Sequence, residues 1–145
     1  MTLLAVALAL ATSSIAALHA YWGFGGVWPG KDAASCARTV TGFKGADAMP
    51  SPLAAFAVTA ALASTAFVAL VLGNVLAGQF PPILWGLAAF VIALVFLGRG
   101  VAGFTPGWRR RTPVQPFARL DRLYYSPLCL ALGAGFLALA AKGIY

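Results

Sequence analysis

A chain of 145 residues is at most one ordinary domain, and this one is 61% hydrophobic with only 9% charged residues, against roughly 25% charged in a soluble globular domain. A mean hydropathy of +0.89 and apolar runs of about 20 residues exclude a soluble core and define an all-α, polytopic membrane protein. One His, two Cys, three acidic residues (all Asp) and a net charge of +7 leave too few ligands for a structural zinc site. No metal and no cofactor is expected.

The first span covers about residues 3–27, interrupted by Thr12, Ser13, Ser14 and His19. At 1.5 Å per residue it crosses the roughly 30 Å hydrocarbon layer. It is read as a retained helix: no Lys or Arg precedes it, it exceeds the apolar region of a signal peptide, and no A-x-A site ends it. Trp28-Pro29-Gly30 closes it. The second span, about 52–77, opens at Ser51-Pro52, an N-cap hydroxyl followed by proline at the first helical position. Residues 78–82 suffice only for a tight turn, so the third span, about 83–104, returns beside the second as a helical hairpin. The fourth span, about 123–141, carries Ser126-Pro127, read as its first turn in preference to a kink behind an amphipathic lead-in. The expected architecture is a single membrane domain, an antiparallel four-transmembrane-helix bundle with basic loops at 28–51 and 105–122.

Lys31, Arg38, Lys44, Arg99, Arg109, Arg110, Arg111, Arg119 and Arg122 fall toward one end of this bundle and only Lys142 toward the other. The positive-inside rule therefore places the two basic loops in the cytoplasm and both termini in the periplasm or outside. Trp108, Arg109, Arg110 and Arg111 are expected to touch anionic lipid headgroups, since no compact domain exists to present them to nucleic acid. Small residues four apart mark candidate helix contacts: Ala57, Ala61 and Thr65 with Ala60 and Ser64; Ala89 and Ala93; Ala131 and Gly135 with Ala134 and Ala138. Cys36 is expected at a loop surface and Cys129 as a small packed hydrophobe, without a disulfide. The central thirds of the spans hold nothing more polar than Ser or Thr, so a single copy does not read as a channel or pump.

The costly residues gather at the basic end. His19 and Trp22 share a face of the first span with Gly23 and Gly26, Arg99 stands near the end of the third, and Asp121 and Tyr125 lead into the fourth. A charge in the apolar layer costs about 2.5–3.5 kcal/mol, so Arg99 should pair, with Asp121 the nearest acid, or snorkel outward. Two readings are open. Tyr21, Trp22, Trp28, Trp108, Tyr124 and Tyr125 could form an interfacial aromatic belt; or His19, Trp22, Arg99, Asp121 and Tyr125 could line one small pocket. A Ser126–His19–Asp121 triad has no oxyanion element to support it.

The segments His19-Ala-Tyr-Trp-Gly-Phe-Gly-Gly, Trp28-Pro-Gly, Phe117-Ala-Arg-Leu-Asp121 and Tyr125-Ser-Pro-Leu-Cys129 resemble the signatures of a small bacterial membrane family, domain of unknown function 3995. The resemblance spans nearly the whole chain. It implies four helices and an integral membrane location and adds nothing on mechanism; the bacterial inner membrane is the expected location. Four-helix membrane enzymes that handle glutathione are similar in size, but their polar motif with its Glu has no counterpart in a chain without Glu.

These readings make the protein a membrane binder of a lipid-like, lipophilic small molecule or of a membrane partner, a second copy or another subunit, through the pocket at its basic end. The alternative is a membrane enzyme of isomerase or reductase type, with His19 and Tyr125 transferring protons.

Overall fold

The computed structural model describes residues 1–45 and 47–144. They form helices and no strand: α1 (Thr2–Gly23), α2 (Ala33–Val40), α3 (Pro52–Leu72), α4 (Pro82–Ala102), α5 (Pro106–Arg111), α6 (Phe117–Leu120), a π-helical turn (Asp121–Tyr125) and α7 (Ser126–Ile144). Four stretches are long and apolar enough to cross a membrane: α1, α3, α4 and the continuous rod Phe117–Ile144. Only 22–28% of the apolar window of each is buried, so their outer faces need lipid as solvent and the chain is a multi-pass membrane protein.

Helix ends follow local chemistry. Ser51 Oγ accepts from Ala54 N and Pro52 sits at the first helical position of α3, as the sequence suggests. α1 stops at Gly23 rather than near residue 27, because Gly25 turns the chain with φ +88°. α3 stops at Leu72, ahead of Asn74 in the left-handed region (φ 59°), a conformation that Asn tolerates.

In lipid, helices associate where backbones approach closely, and this selects the partners. α4 packs most extensively on α7, with α1 on α3 next; α3 and α4, joined by the tight turn, touch more sparsely. The expected hairpin is therefore a connection rather than a principal packing unit. Along α4–α7, a Cβ on Gly86 would lie 2.9 Å from the Gly143 backbone, and one on Gly133 the same distance from Leu97 N. Ala89 and Ala93 face the core as expected. The other two stripes hold only in part: Gly135 meets Leu8 of α1, where a Cβ would lie 2.8 Å from its side chain, and Thr65 is half-buried. Ala57, Ala60, Ala61 and Ser64 are exposed, and α3 instead buries Ala66, Val68, Ala69 and Leu72; Ala131, Ala134 and Ala138 are exposed, while α7 buries Leu132, Gly133, Phe136 and Leu139. The core needed volume at its centre: fully buried Phe136 stacks on Phe96 with centroids 6.0 Å apart.

The first residues of α1 and the last turn of α7 lie beside the α3–α4 turn, where Thr2 Oγ1 donates to Gly73 O and Lys142 Nζ to Leu72 O. The opposite, basic end carries α2, α5, α6 and the π turn.

Candidate functional site: a closed polar latch and a separate cleft

The last rod contains the feature that positions the charges. Phe117–Ile144 is one helix with Ser126-Pro127 inside it, so the lead-in alternative holds and the first-turn expectation fails. Pro127 has no N–H for the Leu123 carbonyl and its ring crowds that turn. The helix widens there instead: Ser126 N–H donates to Asp121 O, five residues back. A π turn brings residues five apart onto one face, which an α-helix does only for residues three or four apart. Ser126 Oγ consequently donates to Asp121 Oδ1 at 3.2 Å.

Around Asp121, 1% exposed, three elements converge. Arg99 Nη2, from the last turn of α4, lies 2.6 Å from Asp121 Oδ1, and its Nη1 donates to Ser126 Oγ at 3.3 Å. Trp108 Nε1, from α5, donates to Asp121 Oδ2 at 3.0 Å, and the guanidinium carbon lies 4.6 Å from the indole centroid, a cation–π distance. Thr105 and Pro106 cap and start α5, aiming Trp108 back at α4. A Cβ on Gly103 would collide with Ser126 Oγ and sit 3.1 Å from Asp121 Oδ2, so only glycine lets the chain turn over this group. Among the described residues no buried side-chain polar atom lacks a partner. The arrangement is a fully paired ionic latch.

Of the four residues expected at headgroups, Trp108 and Arg109 are half-buried. The indole N–H points inward, Arg109 donates to Ala118 O at 3.2 Å, and only Arg110 and Arg111 of the set are exposed. Of the six aromatic residues at this end, Tyr21, Trp28 and Tyr124 are exposed and Trp22, Trp108 and Tyr125 are half-buried.

His19 stands elsewhere. It and Trp22 meet edge-on with centroids 4.9 Å apart and line a cleft of about 280 Å³ with Val40, Thr41, Met49, Pro50, Ala54, Ala55 and Val58. His19 Nδ1 contacts Ile15 O at 2.8 Å. A carbonyl only accepts, so Nδ1 carries the hydrogen and Nε2 of the neutral ring is an acceptor. Trp22 Nε1 is spent on Trp28 O at 2.7 Å. The sequence's single pocket therefore resolves into two places: Arg99 and Asp121 in the latch, His19 and Trp22 in the cleft.

Tyr125 belongs to neither. Its ring leans on Phe117 and its hydroxyl donates to Thr39 O of α2 at 3.4 Å. α2 stands within the basic stretch 28–51 that is expected to be a loop. Asp32 and Ser35 form its capping box, a signal readable in Asp32-x-x-Ser35. It carries Cys36, which is buried rather than at the surface; both cysteines are free. Burial pushes the Cys36 thiol up. Beyond α2, Gly42 O accepts from Val114 N, and Phe43 meets Trp108 edge-on at 6.3 Å. The segment thus spans from the cleft to the latch.

A family model described as Protein of unknown function (DUF3995) matches residues 10–136. The chain belongs to this family. The matched stretch holds the whole latch and the whole cleft of this DUF3995 protein, and ends before Lys142. Neither the curated proteins searched nor the solved structures gave a match.

Proposed function

We propose that this DUF3995 protein is a bacterial inner-membrane protein, with its basic loops in the cytoplasm, that holds a lipid-like molecule in the cleft between α1, α3 and the end of α2. Nine of its ten Lys and Arg support that orientation. The observation that carries the binding reading is the cleft itself. It is an apolar hollow of about 280 Å³, near the lower bound of roughly 300 Å³ for small-molecule sites, and its imidazole is held through Nδ1 with Nε2 left to accept. Such a lining suits a lipophilic molecule with one hydrogen-bond donor, a hydroxyl or amide, at its head. The latch supports the site by fixing Trp108, on which Phe43 rests. Proton transfer by His19 and Tyr125 together has less support, because the Tyr125 hydroxyl is engaged by Thr39 and does not line the cleft.

Native mass spectrometry in mild detergent tests this reading. A retained lipophilic molecule should be displaced by Ala54→Phe, which fills the cleft, and weakened about five- to tenfold by His19→Ala, the loss of about one hydrogen bond. Equal retention by both variants would reject the site.

A further inference from the structure

A second and larger cleft, of about 530 Å³, opens at the end that carries the chain termini, and Leu72, Asn74, Phe80, Trp85, Lys142 and Gly143 are among its walls. We infer that it binds a phosphate anion, that of a membrane lipid headgroup or free phosphate, on Lys142. Among the described residues that line this cleft, Lys142 carries the one charged side chain. Its ammonium is held in place by donating to Leu72 O at 3.0 Å, which also completes the end of α3. That bond uses one of its three N–H groups and leaves two for an anion. Asn74, with its backbone in the left-handed region, lines the same cleft. Trp85 Nε1 is spent on Phe80 O at 3.2 Å, so the indole serves as an apolar wall. Val75, Leu76 and Ile83 next to it are exposed and continue the cleft toward the lipid-facing surface, where acyl chains can lie. The site shares no residue with the His19 cleft, and its success or failure is independent of that reading.

Phosphatidylglycerol carrying a photoreactive diazirine tail, diluted into phosphatidylcholine nanodiscs holding the full chain, tests the inference by mapping the labelled residues. Label should concentrate within residues 74–85. It should fall about fivefold in Lys142→Gln, the effect of one basic residue at an anionic surface, and be restored in Lys142→Arg. Asn74→Asp leaves the Lys142–Leu72 bond in place and should repel the headgroup, giving a similar loss even if Lys142→Gln folds poorly. Persistence of the label in millimolar inorganic phosphate assigns the site to the lipid; its loss there assigns it to the free anion. Unchanged labelling in both Lys142→Gln and Asn74→Asp, or equal labelling by a phosphate-free diacylglycerol analogue, would overturn the inference.

Discussion

Asp121 accepts from Arg99, Trp108 and Ser126 while almost wholly buried, whereas the Arg99 side chain keeps 30% of its exposure. Removing only the carboxylate strands a cation among apolar helices, so Asp121→Ala should lower stability by about 3 kcal/mol, the lower end for a broken buried pair because Arg99 retains some water. Arg99→Met combined with Asp121→Leu removes both charges and should cost less than Asp121→Ala alone. Unfolding midpoints in detergent check this, and a double variant worse than Asp121→Ala contradicts it. Gly103→Ala should cost about 1–3 kcal/mol through its collision with Ser126, partly recovered by Ser126→Gly in the same chain. The Arg99–Asp121 pair was legible in the sequence because a membrane charge must be matched and few acids exist. Trp108 was not: an aromatic beside three arginines reads the same whether its N–H faces headgroups or a carboxylate 13 positions away. The assignment of His19 to a different cavity was equally hidden, since convergence at one membrane depth says nothing about which side of a bundle a residue occupies.

At the scale of elements, hydropathy and caps were enough to locate the four spans, but not the geometry of the last one. The π turn depends on a trade between the missing Pro127 N–H and the contacts of Asp121 with Ser126, which no local propensity encodes. Deleting exposed Tyr124 together with Pro127→Ala should therefore yield a plain α-helix with Asp121 and Ser126 four apart and the latch retained. The deletion alone should cost about 3 kcal/mol more, because the proline ring then meets a carbonyl inside a regular helix. Packing faces were likewise hidden where alanine is everywhere: the exposed stripe on α3 and the buried one on α4 have the same spacing. For α2, the Ser35 N–H and hydroxyl hold the exposed Asp32 carboxyl below its ordinary 3.8. The contribution of this cap is present above that value and lost as pH falls through the lowered folded value. Amide protection of Ser35 and Cys36 should therefore fall on acidification below about pH 3.8, and in Asp32→Ala it should already be low at neutral pH.

The whole molecule is two helix pairs, α1–α3 and α4–α7, sharing a core around Leu8, Ala69 and Phe136 and tied at the basic end by α2, whose Thr39 O accepts from Tyr125. Orientation belongs to this scale. An Arg110→Cys chain should react with a membrane-impermeant maleimide in inverted vesicles and not in intact cells; native Cys36, buried and with its thiol pushed up, contributes little background. Labelling from outside would reverse the topology. The central claim, that His19 presents an acceptor to a lipophilic molecule, can be read directly because the chain holds a single histidine. Nitrogen-15 NMR of the His-labelled protein in micelles should find the hydrogen of the neutral ring on Nδ1, and the Nε2 resonance should move when the molecule extracted with the protein is added back. A hydrogen on Nε2, or an Nε2 signal indifferent to that molecule, would contradict the account.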